Sequence, residues 1–210
     1  MHSVEDLTRK AAIRNEALRL FAARGPEAVT VREIAEAAGV SPGLVIHHFG
    51  GKQQLIDAVN EYAAGIFDSI VGDLADTAGP EDETERLDAA TLARALVRNL
   101  PAGSALPAYL RRLLLDHGPE ARRLFERWFA TTSAFFGSLA DVGIARPSSD
   151  PAVRAAILLV NDLATILLRP LIVDVVGVDP LTPEGAMRWA ADAMDIYTHG
   201  AFVLDPKEHR

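Results

Sequence analysis

The chain's 210 residues, 49% of them hydrophobic and 24% charged, suit a folded globular protein and exclude a disordered one. There is no cysteine, which excludes a disulfide framework, a cysteine-ligated zinc site and a thiol nucleophile. The net charge of −8 weighs against nucleic acid as a partner only until it is mapped, because residues 1–60 balance seven basic against seven acidic side chains while the other 150 carry 14 against 22.

Few aromatics, many Ala and Leu, and apolar spacings of three and four predict an all-α protein. The first helix is expected over 7–24, with Ile13, Ala17, Leu20 and Phe21 on one face and Gly25-Pro26 as its stop. Thr30-Val31-Arg32-Glu33 reads as a capping box opening the second helix, flanked by the staple pair Val29 and Ile34, and Gly39 ends that helix. Ser41 caps a third, short helix with Pro42 at its first position and Gly50-Gly51 at its close. A fourth runs from Lys52 to about residue 75, followed by an acidic loop at 79–83. Helices over 84–100, 106–116, 119–142, 152–176 and 183–202 bring the expected count to about nine, with a kink at Pro170. The apolar run 155–176 contains Asn161, Asp162, Arg169, Pro170 and Asp174, which points to a bundle helix rather than a membrane span. Residues 1–10 lack the apolar core of a signal peptide, so a cytoplasmic protein is expected.

Two short capped helices joined across the turn at Gly39 make a helix-turn-helix. Three linked stretches, residues 17–25 (ALRLFAARG), 30–43 (TVREIAEAAGVSPG) and 47–52 (HHFGGK), resemble the N-terminal domain of the TetR (tetracycline-repressor) family. The helix count and the long final pair of helices extend the resemblance along the chain. It implies a DNA-binding domain over 1–52 and a helical domain for ligand binding and dimerisation over 53–210. The implied function is a ligand-responsive transcriptional regulator, a repressor, that binds a palindromic operator in double-stranded DNA as a homodimer. The last two helices would form the dimer interface.

Lys52 is informative on physical grounds, since a cation at a helix N-terminus opposes the macrodipole. A DNA phosphate at that helix end would reconcile the two, and the family places a phosphate-contacting lysine there. In the third helix Val45 and Phe49 are spaced to pack inward on Ile34 and Phe21, leaving Gly43, Leu44, Ile46, His47 and His48 facing outward. Leu44 and Ile46 would contact thymine methyls, Gly43 would let the backbone approach DNA, and His47 and His48 would donate to a phosphate or a base edge. Ser41 and Pro42 bring the helix start to the duplex. The commoner family pattern has Thr, Tyr and Tyr where this chain has Leu44, Ile46 and His48, so the phosphate contacts of those hydroxyls are not expected here. Arg32 has two readings, a base-edge contact and a surface arginine. Thr30 is a cap first and a phosphate contact second.

Phe125, Trp128, Phe129, Phe135 and Phe136 crowd one helix, and a stripe of this kind is usually core. In a TetR-like protein the same region lines a cavity, which makes Tyr109, Phe125, Trp128 and Phe129 candidates to enclose a small, largely apolar effector. Asn161 and Asp162 interrupt an apolar helix and call for a partner: each other in the core, a ligand, or a second subunit. His117, His199 and His209 are isolated, no base lies beside a nucleophile, and no glycine-rich phosphate motif occurs. No enzymatic activity, metal site or cofactor is therefore expected. The competing hypothesis is an all-helical small-molecule carrier or enzyme with an incidental helix-turn-helix.

Overall fold

The structure is a computed structural model that describes residues 4–77, 88–100 and 103–200. Within them the chain forms ten helices: α1 (Val4–Arg24), α2 (Val31–Ala37), α3 (Pro42–Phe49), α4 (Lys52–Thr77), α5 (Ala89–Asn99), α6 (Leu106–Leu115), α7 (Pro119–Asp141), α8 (Pro151–Leu167), α9 (Arg169–Val176) and α10 (Pro183–His199). The acidic loop at 79–83 lies outside the described residues. Two expected helix bounds are corrected: α5 starts at Ala89, where the Asp88 side chain caps it, rather than at 84, and α10 ends at His199, with Gly200 as its cap, rather than at 202.

Ten helices replace the expected nine because the segment 152–176 breaks outright. Leu168 leaves helical geometry (φ −97, ψ 5) while its N–H still bonds the Ala164 carbonyl. Pro170 lacks the N–H that a continuing helix would use, and it fits the first turn of a new one. The expected kink is thus a helix end followed by a restart. Among the described residues no single helix is long and apolar enough to cross a membrane.

Two compact units result, one of residues 1–69 with 103–168, the other of residues 70–102 with 169–210. The first unit carries the three N-terminal helices. Ile13, Ala17, Leu18 and Phe21 of α1 meet Val29, Ile34, Val45 and Phe49 in a buried cluster. Leu18, rather than the expected Leu20, completes the inward face of α1. Spacing alone could not separate the two, since both flank the Ala17–Phe21 line.

Polar contacts from α6 and α7 hold α4 in this unit. Tyr109 of α6 donates its hydroxyl to Asn60 Oδ1 at 2.6 Å, and Trp128 of α7 donates its indole N–H to the Ala64 carbonyl at 3.4 Å. Arg127 bridges Glu61 (2.9 Å) and Asp68 (2.7 Å) two turns apart on α4. α6 also holds the C-terminal end of α1: Arg112 Nη2 donates to the Ala23 carbonyl at 3.2 Å, the favourable end of the helix dipole for a cation. Gly25 ends α1 at a φ of +81°, a backbone conformation that favours glycine, with the Arg112 side chain packed beside it.

In the second unit Ala93 of α5 packs against Ala186 and Ala190 of α10. Arg169 forms a two-pronged pair with Asp179 at 2.8 and 2.7 Å, which fixes the turn ahead of α10. Gly185 sits so close under that turn that an added Cβ would fall 1.8 Å from the Asp179 carbonyl oxygen. Only glycine fits there.

Candidate nucleic-acid interface

The caps read from the sequence are all present. Thr30 Oγ1 accepts from the Glu33 N–H at 3.2 Å, and the Glu33 carboxylate reaches back to the Thr30 N–H at 2.7 Å. Arg24, at the end of α1, reaches the same carboxylate at 2.8 Å, so the box also joins α1 to α2. α2 ends in a Schellman turn: Val40 N–H bonds the Ala35 carbonyl and Gly39 N–H the Glu36 carbonyl, with Gly39 at φ +66°. Ser41 Oγ then accepts from Leu44 N–H at 3.3 Å and starts α3, which Gly50 ends in the left-handed region.

The capping box has a pH signature. Hydrogen bonds from the Thr30 backbone and hydroxyl, then from Arg24, hold the Glu33 carboxyl down to about 2 from an ordinary 4.5. A lowered value means that the contribution to stability is complete above pH 4.5 and is lost as pH falls toward about 2. Glu33→Gln is therefore expected to melt below the parent at neutral pH, with the gap closing across that acid window. A gap that stays constant on acidification would show that the carboxylate is not the source.

α3 presents two faces. Val45 and Phe49 are buried, whereas Ser41, Pro42, Gly43, Ile46 and His47 are exposed and Leu44 is half-buried. Among the described residues a Cβ on Gly43 would meet only Ser41 Oγ, at 3.9 Å, an ordinary contact that does not demand glycine there. The outward placement expected for His48 is corrected: its side chain is 4% exposed and turned toward Asp6 of α1. Assigning Val45 and Phe49 to the inner face leaves it outward, but α1 runs close enough to cover the last turn of α3. Arg32 is exposed on α2, and Thr30 is exposed with its hydroxyl engaged by Glu33. Lys52, the first residue of α4, rests its ammonium on the Glu27 carbonyl at 3.2 Å.

The candidate effector residues divide differently from the expectation. Tyr109 and Trp128 are buried core, 2% and 1% exposed, with their polar atoms on α4. Burial pushes the Tyr109 hydroxyl up to about 12, so it stays a donor. Asn161 and Asp162 do bond each other through their side chains, but on the exposed side of α8 rather than in the core, because Ala155, Leu159 and Leu163 fill the inward face of that helix. Phe129 is half-buried. Phe125 does line a cavity, an open cleft of about 650 Å³ between the end of α6, the first turns of α7 and the last turns of α8. Leu114, Ala121, Leu163 and Leu167 supply apolar walls, while His117, Arg122 and Glu126 supply polar groups. Sequence reading missed His117 as a wall residue. Its φ of +54°, unusual outside glycine, marks the α6–α7 turn, and no motif announces it.

Comparison with known proteins agrees with this geometry. The family model described as "Bacterial regulatory proteins, tetR family" matches residues 13–59, and the one described as "Tetracyclin repressor-like, C-terminal domain" matches residues 103–203. The HTH-type transcriptional regulatory protein RaaS of Mycobacterium tuberculosis is 31% identical over 200 residues, spanning 93% of this chain and 87% of its own. The fold is shared with the TetR family regulator PfmR of Thermus thermophilus (TM-score 0.61, 22% identity, 91% of this chain and 96% of that one). It is also shared with AibR, solved with isovaleryl coenzyme A and operator DNA (TM-score 0.58, 23% identity, 92% and 100%). A relative of this identity, aligned over nearly the whole length of both proteins, makes the chain a member of the TetR family of transcriptional regulators.

Proposed function

We propose that this regulator is a ligand-responsive repressor, acting in the cytoplasm, which reads a palindromic operator as a homodimer through α3. The observation that carries the reading is the exposed edge of α3, where Gly43, Ile46 and His47 project from a helix capped and packed on both sides. Ile46 is 45% exposed, and a thymine methyl in the major groove would cover it. Leu44 flanks it, Arg32 reaches toward a base edge from α2, and Thr30, Ser41 and Pro42 bring helix N-termini to the phosphates. Lys52 contributes a phosphate contact. His48 does not touch DNA in this reading.

The reading assigns residues 1–52 to DNA and 53–210 to effector binding and dimerisation. α8 leaves Val153, Ile157 and Val160 exposed, and α10 leaves Met187, Ile196 and Tyr197 exposed, more apolar surface than a lone chain usually shows to water. A second copy would cover both faces. The effector enters the cleft beside Phe125.

Selection of bound fragments from random-sequence DNA tests this directly, with an enriched palindrome as the expected result. A folded protein that enriches no palindrome would remove the reading. Gly43→Ala sharpens the test. Alanine is the better helix former by up to about 1 kcal/mol, so the variant should fold at least as well. Its methyl would stand between backbone and duplex, and operator affinity should fall about five- to tenfold, measured by anisotropy. Unchanged affinity would mean that the backbone does not approach DNA at this point.

A further inference from the structure

One buried polar group in the recognition helix has no part in the contacts proposed so far. The His48 imidazole faces Asp6, with Nε2 3.6 Å from Oδ1, and Asp6 itself is 31% exposed. That gap is too long for a hydrogen bond, and Nε2 finds no other partner among the described residues. An orphaned nitrogen in a tightly packed position is expensive unless a partner arrives under some condition. Among the described residues, α1, α2 and α3 bring these charged and titratable groups near it. α1 contributes Asp6 and also Lys10, whose ammonium lies over the neighbouring Phe49 ring at 5.5 Å. α3 contributes His47, edge-on at 5.5 Å between ring centroids. α2 buries only Ile34 and Ala35, keeps Arg32 and Glu36 exposed, and holds Glu33 in its capping box.

We infer that His48 is a positioning residue for DNA reading, its protonated imidazole closing onto the Asp6 carboxylate and tying the last turn of the recognition helix to the start of α1. This rests on the proposal that α3 reads DNA. A protonated imidazole is a donor at both nitrogens, and its attraction for a carboxylate within 4 Å closes the present gap. A recognition helix already held in place gives up less freedom on docking, so holding it raises affinity. The sign follows from proton uptake. The held state carries a proton that the loose state lacks, so acidification through the range in which imidazoles change charge favours it, and the advantage fades as pH rises.

The test uses the full chain with His47→Gln as background, because exposed His47 can answer to pH through DNA phosphates. Operator affinity is expected to be about fivefold tighter near pH 6 than near pH 8 in that background. Adding Asp6→Asn, or His48→Gln, should reduce the ratio to below about twofold. If His48→Gln fails to fold, the surface change Asp6→Asn carries the test. In DNA-free protein, ring-nitrogen NMR of His48 should show its titration moving to lower pH in Asp6→Asn. That arm needs no operator, so a failure of the DNA-binding reading and a failure of the pair are separate results. The pairing is overturned if the affinity ratio survives Asp6→Asn, or if His48 titrates identically with aspartate and asparagine at position 6.

Discussion

Lys52→Ala is expected to weaken binding to every duplex about tenfold per subunit, and so about a hundredfold for a dimer, with little change in base preference. Lys52 opens α4, where the unpaired N–H groups of the first turn face outward and an anion is favoured. One of its three ammonium protons is held by the Glu27 carbonyl, which places the group and leaves two for a phosphate oxygen. Loss of that charge should lower the slope of log affinity against log salt by roughly one per subunit, because one fewer counterion is released at each site. Ile46→Ala should behave in the opposite way, altering which base is preferred while leaving the salt slope alone. Anisotropy titrations on operator and scrambled duplexes at several salt concentrations separate the two. A changed preference with an unchanged salt slope in Lys52→Ala would show that its role is misassigned.

What the sequence made legible follows the range of the interactions involved. The capping box at Thr30, the Schellman turn at Gly39 and the cap at Ser41 are each specified within five residues, so the helix-turn-helix could be read almost bond by bond. The side chains on that frame were harder wherever a distant segment decided them. His48 turns inward because residue 6 of α1 lies beside it, 42 positions away along the chain. Tyr109 and Trp128 carry the same apolar spacing as wall residues of a cavity, yet their hydrogen bonds to Asn60 and Ala64 of α4 place them in the core. Periodicity identifies a buried stripe but not what lies against it. The same limit explains why Phe125 alone among the candidate effector residues reached the cleft.

The second large effect concerns the cleft: a small, largely apolar compound bound there should weaken operator binding about ten- to a hundredfold. At about 650 Å³ the space falls within the range of ordinary ligand sites. Its walls belong to helices that also hold the DNA-reading end. Leu114 and Leu115 of α6 line it, and within two turns of them Arg112 grasps the end of α1 and Tyr109 grasps α4. On α7, Phe125 lines the cleft while Arg127 and Trp128 hold α4 at Glu61, Asp68 and Ala64. A compound that favours a displaced α6 or α7 therefore shifts α1 and α4, and with them the spacing of the two recognition helices in a dimer. Linkage requires the converse, so saturating operator should weaken the compound by the same factor. Trp128 is a suitable reporter, since it stacks 5.2 Å from Phe67 of α4 one turn from Phe125. Titrating apolar compounds while following tryptophan emission, with and without operator, measures both halves of the cycle. Ala164→Trp should fill the cleft, abolish compound binding and leave operator affinity within about twofold of the parent. Compounds that bind equally well with and without operator, or that still bind the filled variant, would sever the cleft from the regulation of DNA binding.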